Sequence, residues 1–142
     1  MAELLLVAHV AAAVVLGGVL GWQRQQRGKW AGIRTYALVS GGSALFTVLS
    51  LSAFGGDPAR VASNIVTGIG FLGAGTILHK EDKVEGLTTA AGLWMVAAVG
   101  MAVALNFYIL GTAAILLALL VFSIDGRKIK VKMNNVVKSE DD

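Results

Sequence analysis

Four stretches of this chain contain no charged residue: 4–23, 35–56, 61–79 and 86–124, which run to 20, 22, 19 and 39 residues. A helix rises about 1.5 Å per residue and the hydrocarbon core of a bilayer is about 30 Å thick, so about 20 apolar residues cross it once. Each stretch is long enough to do so. The chain is therefore read as all-α, a polytopic transmembrane helical bundle. Composition agrees: 56% of the 142 residues are hydrophobic and 15% are charged, against about 25% charged in an ordinary soluble domain.

As a single helix the longest stretch would reach nearly twice the hydrocarbon thickness, so it must fold back. Asn106 accepts turn geometry, and Phe107 and Tyr108 beside it suit the headgroup level. Five spans result, near 4–22, 35–54, 59–78, 87–105 and 107–123, in one domain 1–123 followed by a short basic tail 124–142. Lysine and arginine test the number, because they gather on the cytoplasmic side. Five spans put 11 of the 12 on one side and leave Arg60 alone on the other; four would divide them six and six. The expected orientation is N-terminus outside and C-terminus in the cytoplasm. The first apolar run follows Glu3 without a basic segment, so it is read as a retained span and not a cleaved leader.

Several function classes fall away. There are no cysteines, hence no disulfide, thiolate nucleophile or cysteine metal site. The basic residues sit in short loops where topology accounts for them, which argues against nucleic acid. No nucleophile, base and orienting group stand at readable spacing, so no enzyme and no cofactor is expected. Gly68-Ile69-Gly70-Phe71-Leu72-Gly73 spells a dinucleotide fingerprint, but it lies inside an apolar span with no strand before it. No Asp or Glu lies mid-span, which leaves an intramembrane magnesium path without ligands.

Small residues mark where helices pack in lipid. Ala13, Gly17 and Gly21 recur at four-residue spacing, the second span centres on Ser40-Gly41-Gly42-Ser43-Ala44, and the fourth carries Gly92, Ala97, Ala98 and Gly100. The fifth, rich in leucine from Leu116 to Leu120, is expected to face lipid. Gly68, Gly70, Gly73 and Gly75 fall within eight residues, each costing a helix about 1 kcal/mol in water. Either close neighbours on several faces compensate, or the segment unwinds to meet a ligand or ion.

Asp57 and Pro58 read as N-cap and first position of the third helix, and Asp57 also stands in pairing range of Arg60. Asn64 is expected to face the bundle interior, as helix glue or as part of a polar path. His9 reads as a hydrogen-bonded packing residue before a proton relay. His79 with Glu81, Asp82 and Glu85 offers oxygen and nitrogen ligands, although Lys80 and Lys83 compensate a surface loop there. No metal site is expected. Gly86-Leu87-Thr88-Thr89 opens the fourth helix, whose free N–H groups favour an anion. Arg24, Arg27 and Arg34 emerge on that side; capping and topology are one explanation, a phosphate or lipid headgroup site the other. The alternation Lys128-Ile129-Lys130-Val131-Lys132 has a strand's period, and a lone strand there is expected on anionic lipid.

In order, Gly32-Ile33-Arg34-Thr35, Asp57-Pro58-Ala59-Arg60, Gly68-Ile69-Gly70-Phe71-Leu72-Gly73-Ala74-Gly75, Gly86-Leu87-Thr88-Thr89-Ala90-Ala91 and Leu93-Trp94 resemble the MgtC/SapB family, from about Gly17 to Tyr108. The resemblance implies a bacterial inner-membrane protein of about five spans that supports survival at low magnesium, in acid or inside host phagocytes. It also implies action on other membrane proteins, such as restraint of the ATP synthase, and makes Trp94 a motif residue. Two departures stand out. The family's usual Gly-x-Glu-Arg element reads Gly21-Trp22-Gln23-Arg24, without the acid, and only about 20 residues follow the last span where many members continue into a folded domain. The expected function is modulation of a partner complex, with self-association through small-residue faces making a homo-oligomer. The alternative is a homo-oligomeric channel or carrier using the third span, Asn64, Asp57 and Arg60.

Overall fold

The computed structural model describes residues 2–53, 57–81 and 83–124. Among these, five helices form, α1 (Ala2–Gln26), α2 (Ile33–Ser52), α3 (Pro58–Ala74), α4 (Leu87–Ala104) and α5 (Tyr108–Ser123), with a small antiparallel hairpin, β1 (Leu78–Lys80) and β2 (Lys83–Glu85), between α3 and α4. The segment expected as a loop around His79 is thus a strand pair in the register Leu78↔Glu85, His79↔Val84 and Lys80↔Lys83. Alternating side-chain direction along each strand puts Lys80 and Lys83 on the same face as Glu85's carboxylate, and among the described residues these six are the strand residues of a mostly helical fold.

Among the described residues, three helices are long and apolar enough to cross a bilayer, within Glu3–Gln26, Ile33–Ser52 and Leu87–Ala104. At 17 and 16 residues, α3 and α5 extend about 25 Å each, short of the hydrocarbon thickness. The third apolar stretch was expected to remain helical to residue 78. It stops at Ala74 because Thr76 turns back on the helix, its N–H and hydroxyl both donating to the Gly73 carbonyl at 3.0 and 2.8 Å. Of the expected alternatives for the glycines, unwinding does not occur: Gly68, Gly70 and Gly73 are all helical.

Consecutive helices reverse direction, as the residues they bring together show. Gly17 lies on Ser40 and Tyr36, and Gly21 on Ile33, so α1 and α2 are antiparallel. Gly92 meets Tyr36 and Gly100 meets Ser40 and Ser43, which aligns α2 with α4. Gly73 rests on Ala90 and Gly111 on Val103, placing α3 and α5 against α4. The core is built around α4, whose Leu93, Val96, Val99 and Val103 are buried against Ala13, Leu20, Tyr36 and Ala44. Small residues at positions 17, 21, 92 and 100 are what let the backbones approach, as expected in lipid. Leu116, Leu117 and Leu120 of α5 are exposed on the bundle surface, in keeping with a lipid-facing side.

The turns follow their sequences. The Asp57 carboxylate accepts from the Ala59 N–H at 2.9 Å with Pro58 next to it in the first turn, a side-chain cap before a residue that has no N–H to lose. Asn106 adopts φ +66°, the left-handed conformation asparagine tolerates better than most residues, and reverses the chain into α5. Its Oδ1 lies 2.7 Å from His9 Nε2, while His9 Nδ1 lies 2.6 Å from the Leu5 carbonyl oxygen and the imidazole stacks on Tyr108. His9 is therefore a buried packing residue that ties α1 to the α4–α5 turn. Residues 125–142, including the alternating basic segment expected to associate with lipid, lie outside the described residues.

Candidate functional site: a cationic cavity at one end of the bundle

Because the helices alternate, Arg24, Arg27, Lys29, Arg34, Lys80 and Lys83 gather at one end, while Arg60 lies at the other. The first end holds a cavity of about 1120 Å³. The end of α1 and the turn after it contribute Arg24, Arg27, Lys29 and Trp30; the hairpin contributes Lys83 and Glu85; the start of α4 contributes Gly86, Thr88 and Thr89; and the end of α5 contributes Phe122 and Ser123. Among the described residues, four cations and one carboxylate line it.

Arg24 is its most constrained member. It is only 3% exposed, its Nη2 donates to Thr89 Oγ1 at 3.3 Å, and its guanidinium carbon stands 4.2 Å from the centre of the Phe122 ring. Removing a guanidinium from water costs several kcal/mol. A desolvated cation–π contact returns about 2 kcal/mol and a hydrogen bond to a neutral acceptor about 2 kcal/mol more. No carboxylate pairs with Arg24 among the described residues, and its Nε, fully buried, has no hydrogen-bond partner. Gln23 lies alongside without supplying one: its amide donates to the Leu119 carbonyl and the Ser123 hydroxyl, at 3.2 and 3.1 Å. Arg27 donates to the Phe122 carbonyl, tying the α1 terminus to α5.

Glu85 adds little negative charge to the cavity. Lys80 Nζ and Lys83 Nζ reach its two oxygens at 3.0 and 2.7 Å, and their hydrogen bonds, that of Lys83 first, hold its carboxyl down to about 2. These contacts also occupy the acid considered above as a metal ligand beside His79. At α4, the N-cap is Gly86 in a left-handed conformation, φ +93°, with no side-chain cap. A side chain there would run into the Thr76 carbonyl, so glycine is required on both counts. The first intrahelical bond is Ala90 N–H to the Gly86 carbonyl, 2.9 Å. The N–H groups of Leu87, Thr88 and Thr89 precede it and carry the helix's partial positive charge.

The sequence candidates divide accordingly. Arg24, Thr88 and Thr89 come together, whereas Arg34 and Thr35 are exposed in the first turn of α2 and do not line the cavity. Their helix begins on the far side of the turn from Arg24. Asp57 and Arg60 are at the opposite end; the carboxylate caps α3, and the ion pairs among the described residues are those of Glu85. Asn64, expected inside the bundle, is exposed. It borders an apolar groove of about 490 Å³ between α2 and α3, with Leu38, Gly42, Phe46, Gly68 and Leu72. Helix α3 turns Ile69 and Gly73 toward the core, and Asn64 lies on a different face. Added methyl groups at Gly68 and Gly70 would meet nothing within 4 Å, so close neighbours do not account for those two glycines. Gly75 is the C-cap of α3, and Trp94 is about half exposed on α4.

Sequence reasoning missed Tyr36. It is fully buried, its hydroxyl reaches the Thr89 carbonyl at 3.5 Å, and Gly17, Gly21 and Gly92 leave room for it. The one signal was an aromatic residue directly after Arg34-Thr35, in the first turn of a helix made mostly of small and aliphatic residues.

The MgtC family model matches residues 10–129. The chain is 42% identical over 127 residues to the putative magnesium transporter YhiD of Escherichia coli K12, covering 83% of this chain and 59% of that protein. It is 45% identical over 95 residues to MgtC of Salmonella typhimurium LT2, covering 67% and 41%, and 52% identical over 101 residues to MgtC of Brucella abortus, covering 67% and 42%. The match thus spans about two fifths to three fifths of these relatives' lengths. No solved structure matches.

Proposed function

The chain belongs to the MgtC family, and on that premise we propose that it is a multi-pass bacterial inner-membrane protein that serves magnesium-related adaptation by contact with a partner membrane complex. The observation that carries this reading is the sealed interior of the bundle. The buried hydroxyls of Ser40, Ser43, Thr47 and Ser50 form a stripe along α2, the natural lining of a polar path. Gly17 and Gly100 bring the neighbouring helices onto it so closely that an added Cβ would strike the backbone or Cβ of Ser40, and Thr47 donates to its own helix at Ser43. Packing of that kind holds helices together and leaves no room for a hydrated ion.

Cytoplasmic orientation of the cationic end accords with positive charge gathering on that side. The exposed face of α3 supplies contact surface: Asn64, Thr67, Gly68 and Gly70 lie open on it. The same face supports a second reading, a homo-oligomeric channel or carrier, because α3 is the one amphipathic helix among the described residues, and several such faces turned toward one axis would line a pore. Catalysis has no part in either reading.

Flux from sealed proteoliposomes, tested with magnesium, protons, potassium and phosphate, separates the two. Silence toward all four by folded, inserted protein, together with a membrane complex that co-purifies with the native chain and is lost from Gly68→Leu, is the expected result. Reproducible flux abolished by Asn64→Leu would overturn the partner reading in favour of the channel.

A further inference from the structure

We propose that the cationic cavity is a binding site for a phosphate-bearing anion, the headgroup of an anionic phospholipid or a soluble phosphate ester. This stands apart from the partner reading and does not need it. Two independent features converge. The start of α4 presents the N–H groups of Leu87, Thr88 and Thr89 behind a glycine N-cap that offers them no side-chain acceptor, the arrangement that favours anions. Arg24, buried to 3% exposure and placed by its bond to Thr89 at the same helix start, has a buried Nε with no partner and no carboxylate among the described residues. A buried guanidinium without a carboxylate leaves positive charge uncompensated at the helix start, which an anion in the cavity balances.

The rest of the cavity fits the same ligand. Arg27 and Lys29 are exposed at its rim, where they draw anions in. Glu85, the described acid that lines the cavity, is neutralised by Lys80 and Lys83. Thr88 and Thr89 add hydroxyls that donate to phosphate oxygens. At about 1120 Å³ the space exceeds a bare phosphate and admits the ester group attached to it. Phe122 and Val121 give that group an apolar side, which suits a glycerol backbone at the membrane surface.

The test uses the full chain purified in a non-ionic detergent, with binding followed by calorimetry at low and moderate salt. The probes are dihexanoyl phosphatidylglycerol, dihexanoyl phosphatidylcholine, glycerol phosphate and inorganic phosphate. Saturable binding of phosphatidylglycerol well above phosphatidylcholine, with the two soluble phosphates weak, assigns the lipid headgroup; saturable glycerol phosphate or phosphate binding of equal strength assigns the soluble anion. In either case Arg24→Met, which keeps the stem but removes the charge, is expected to weaken binding about tenfold or more. Should Arg24→Met fail to fold, Arg27→Gln with Lys29→Gln decides, with a loss of about fivefold that grows smaller as salt rises. No saturable binding of any probe, equal binding of both phospholipids without binding of the soluble phosphates, or unchanged affinity in whichever of these variants folds would overturn the proposal.

Discussion

Gly68 and Gly100 look alike in the sequence, since each stands in a helix among small and aliphatic residues, yet alanine is expected to act in opposite directions at the two. At Gly100 the added methyl would press on the Ser40 carbonyl. That contact is with backbone, so no rotamer change relieves it and α2 must move away from α4. Overpacking of this kind costs about 3 kcal/mol at the upper end of its usual range. Gain of helix propensity over glycine returns about 1 kcal/mol, leaving Gly100→Ala destabilised by about 2 kcal/mol. At Gly68 nothing lies within 4 Å of the new atom, so only the propensity remains and Gly68→Ala gains about 0.5–1 kcal/mol. The assay is equilibrium unfolding of the detergent-solubilised chain by increasing sodium dodecyl sulfate, with far-ultraviolet circular dichroism as readout. The two variants should straddle the native midpoint, separated by about 3 kcal/mol. A loss at Gly68 equal to that at Gly100 would refute the reasoning, because α3 would then be closely packed on the face where it is open here.

Asn106 offers a second test, since it carries both the left-handed turn and the bond to His9. Asn106→Gly should lose about 1 kcal/mol for the hydrogen bond alone, and Asn106→Ala about 1 kcal/mol beyond that for the backbone conformation; equal losses in the same unfolding assay would show that the turn is not strained. The hairpin gives a pH prediction. The folded-state carboxyl of Glu85 is depressed from 4.5 to about 2, so the stability its ion pairs contribute is present above the ordinary carboxylate value and is lost as pH falls through the folded one. Carboxyl chemical shifts should place its midpoint near 2, and a midpoint at 4.5 would mean the two lysines do not hold it in solution.

Much of the architecture was legible because particular residues carry local rules. Asp57-Pro58 spelled a helix start, Asn106 a turn, and Gly17 and Gly21 a close crossing, and each stands where those rules put it. Rotation about the helix axes was harder to read. In water a polar stripe shows which side faces out, but α4 and α5 are almost wholly apolar and α2 turns its stripe of hydroxyls, Ser40, Ser43, Thr47 and Ser50, inward. The reasoning that polar side chains avoid lipid then sent Asn64 to the interior, although α3 is the helix with a polar face and turns it outward. Arg34 was placed beside Arg24 because both lie at one end of the bundle, a statement of depth that says nothing about azimuth. The hairpin escaped because Lys80, Glu81, Asp82 and Lys83 read as a solvated run, and strands of three residues are too short to show a period of two.

One polar tie joins α1 to the α4–α5 turn at His9 and Asn106, and another joins it to the first turn of α4 at Arg24 and Thr89. The 15 residue steps from His9 to Arg24 set these ties about 22 Å apart along the helix. Sliding α1 by one turn, about 5.4 Å, would break both at once, so the two ends of α1 resist movement along its axis together, as a strut held at both ends.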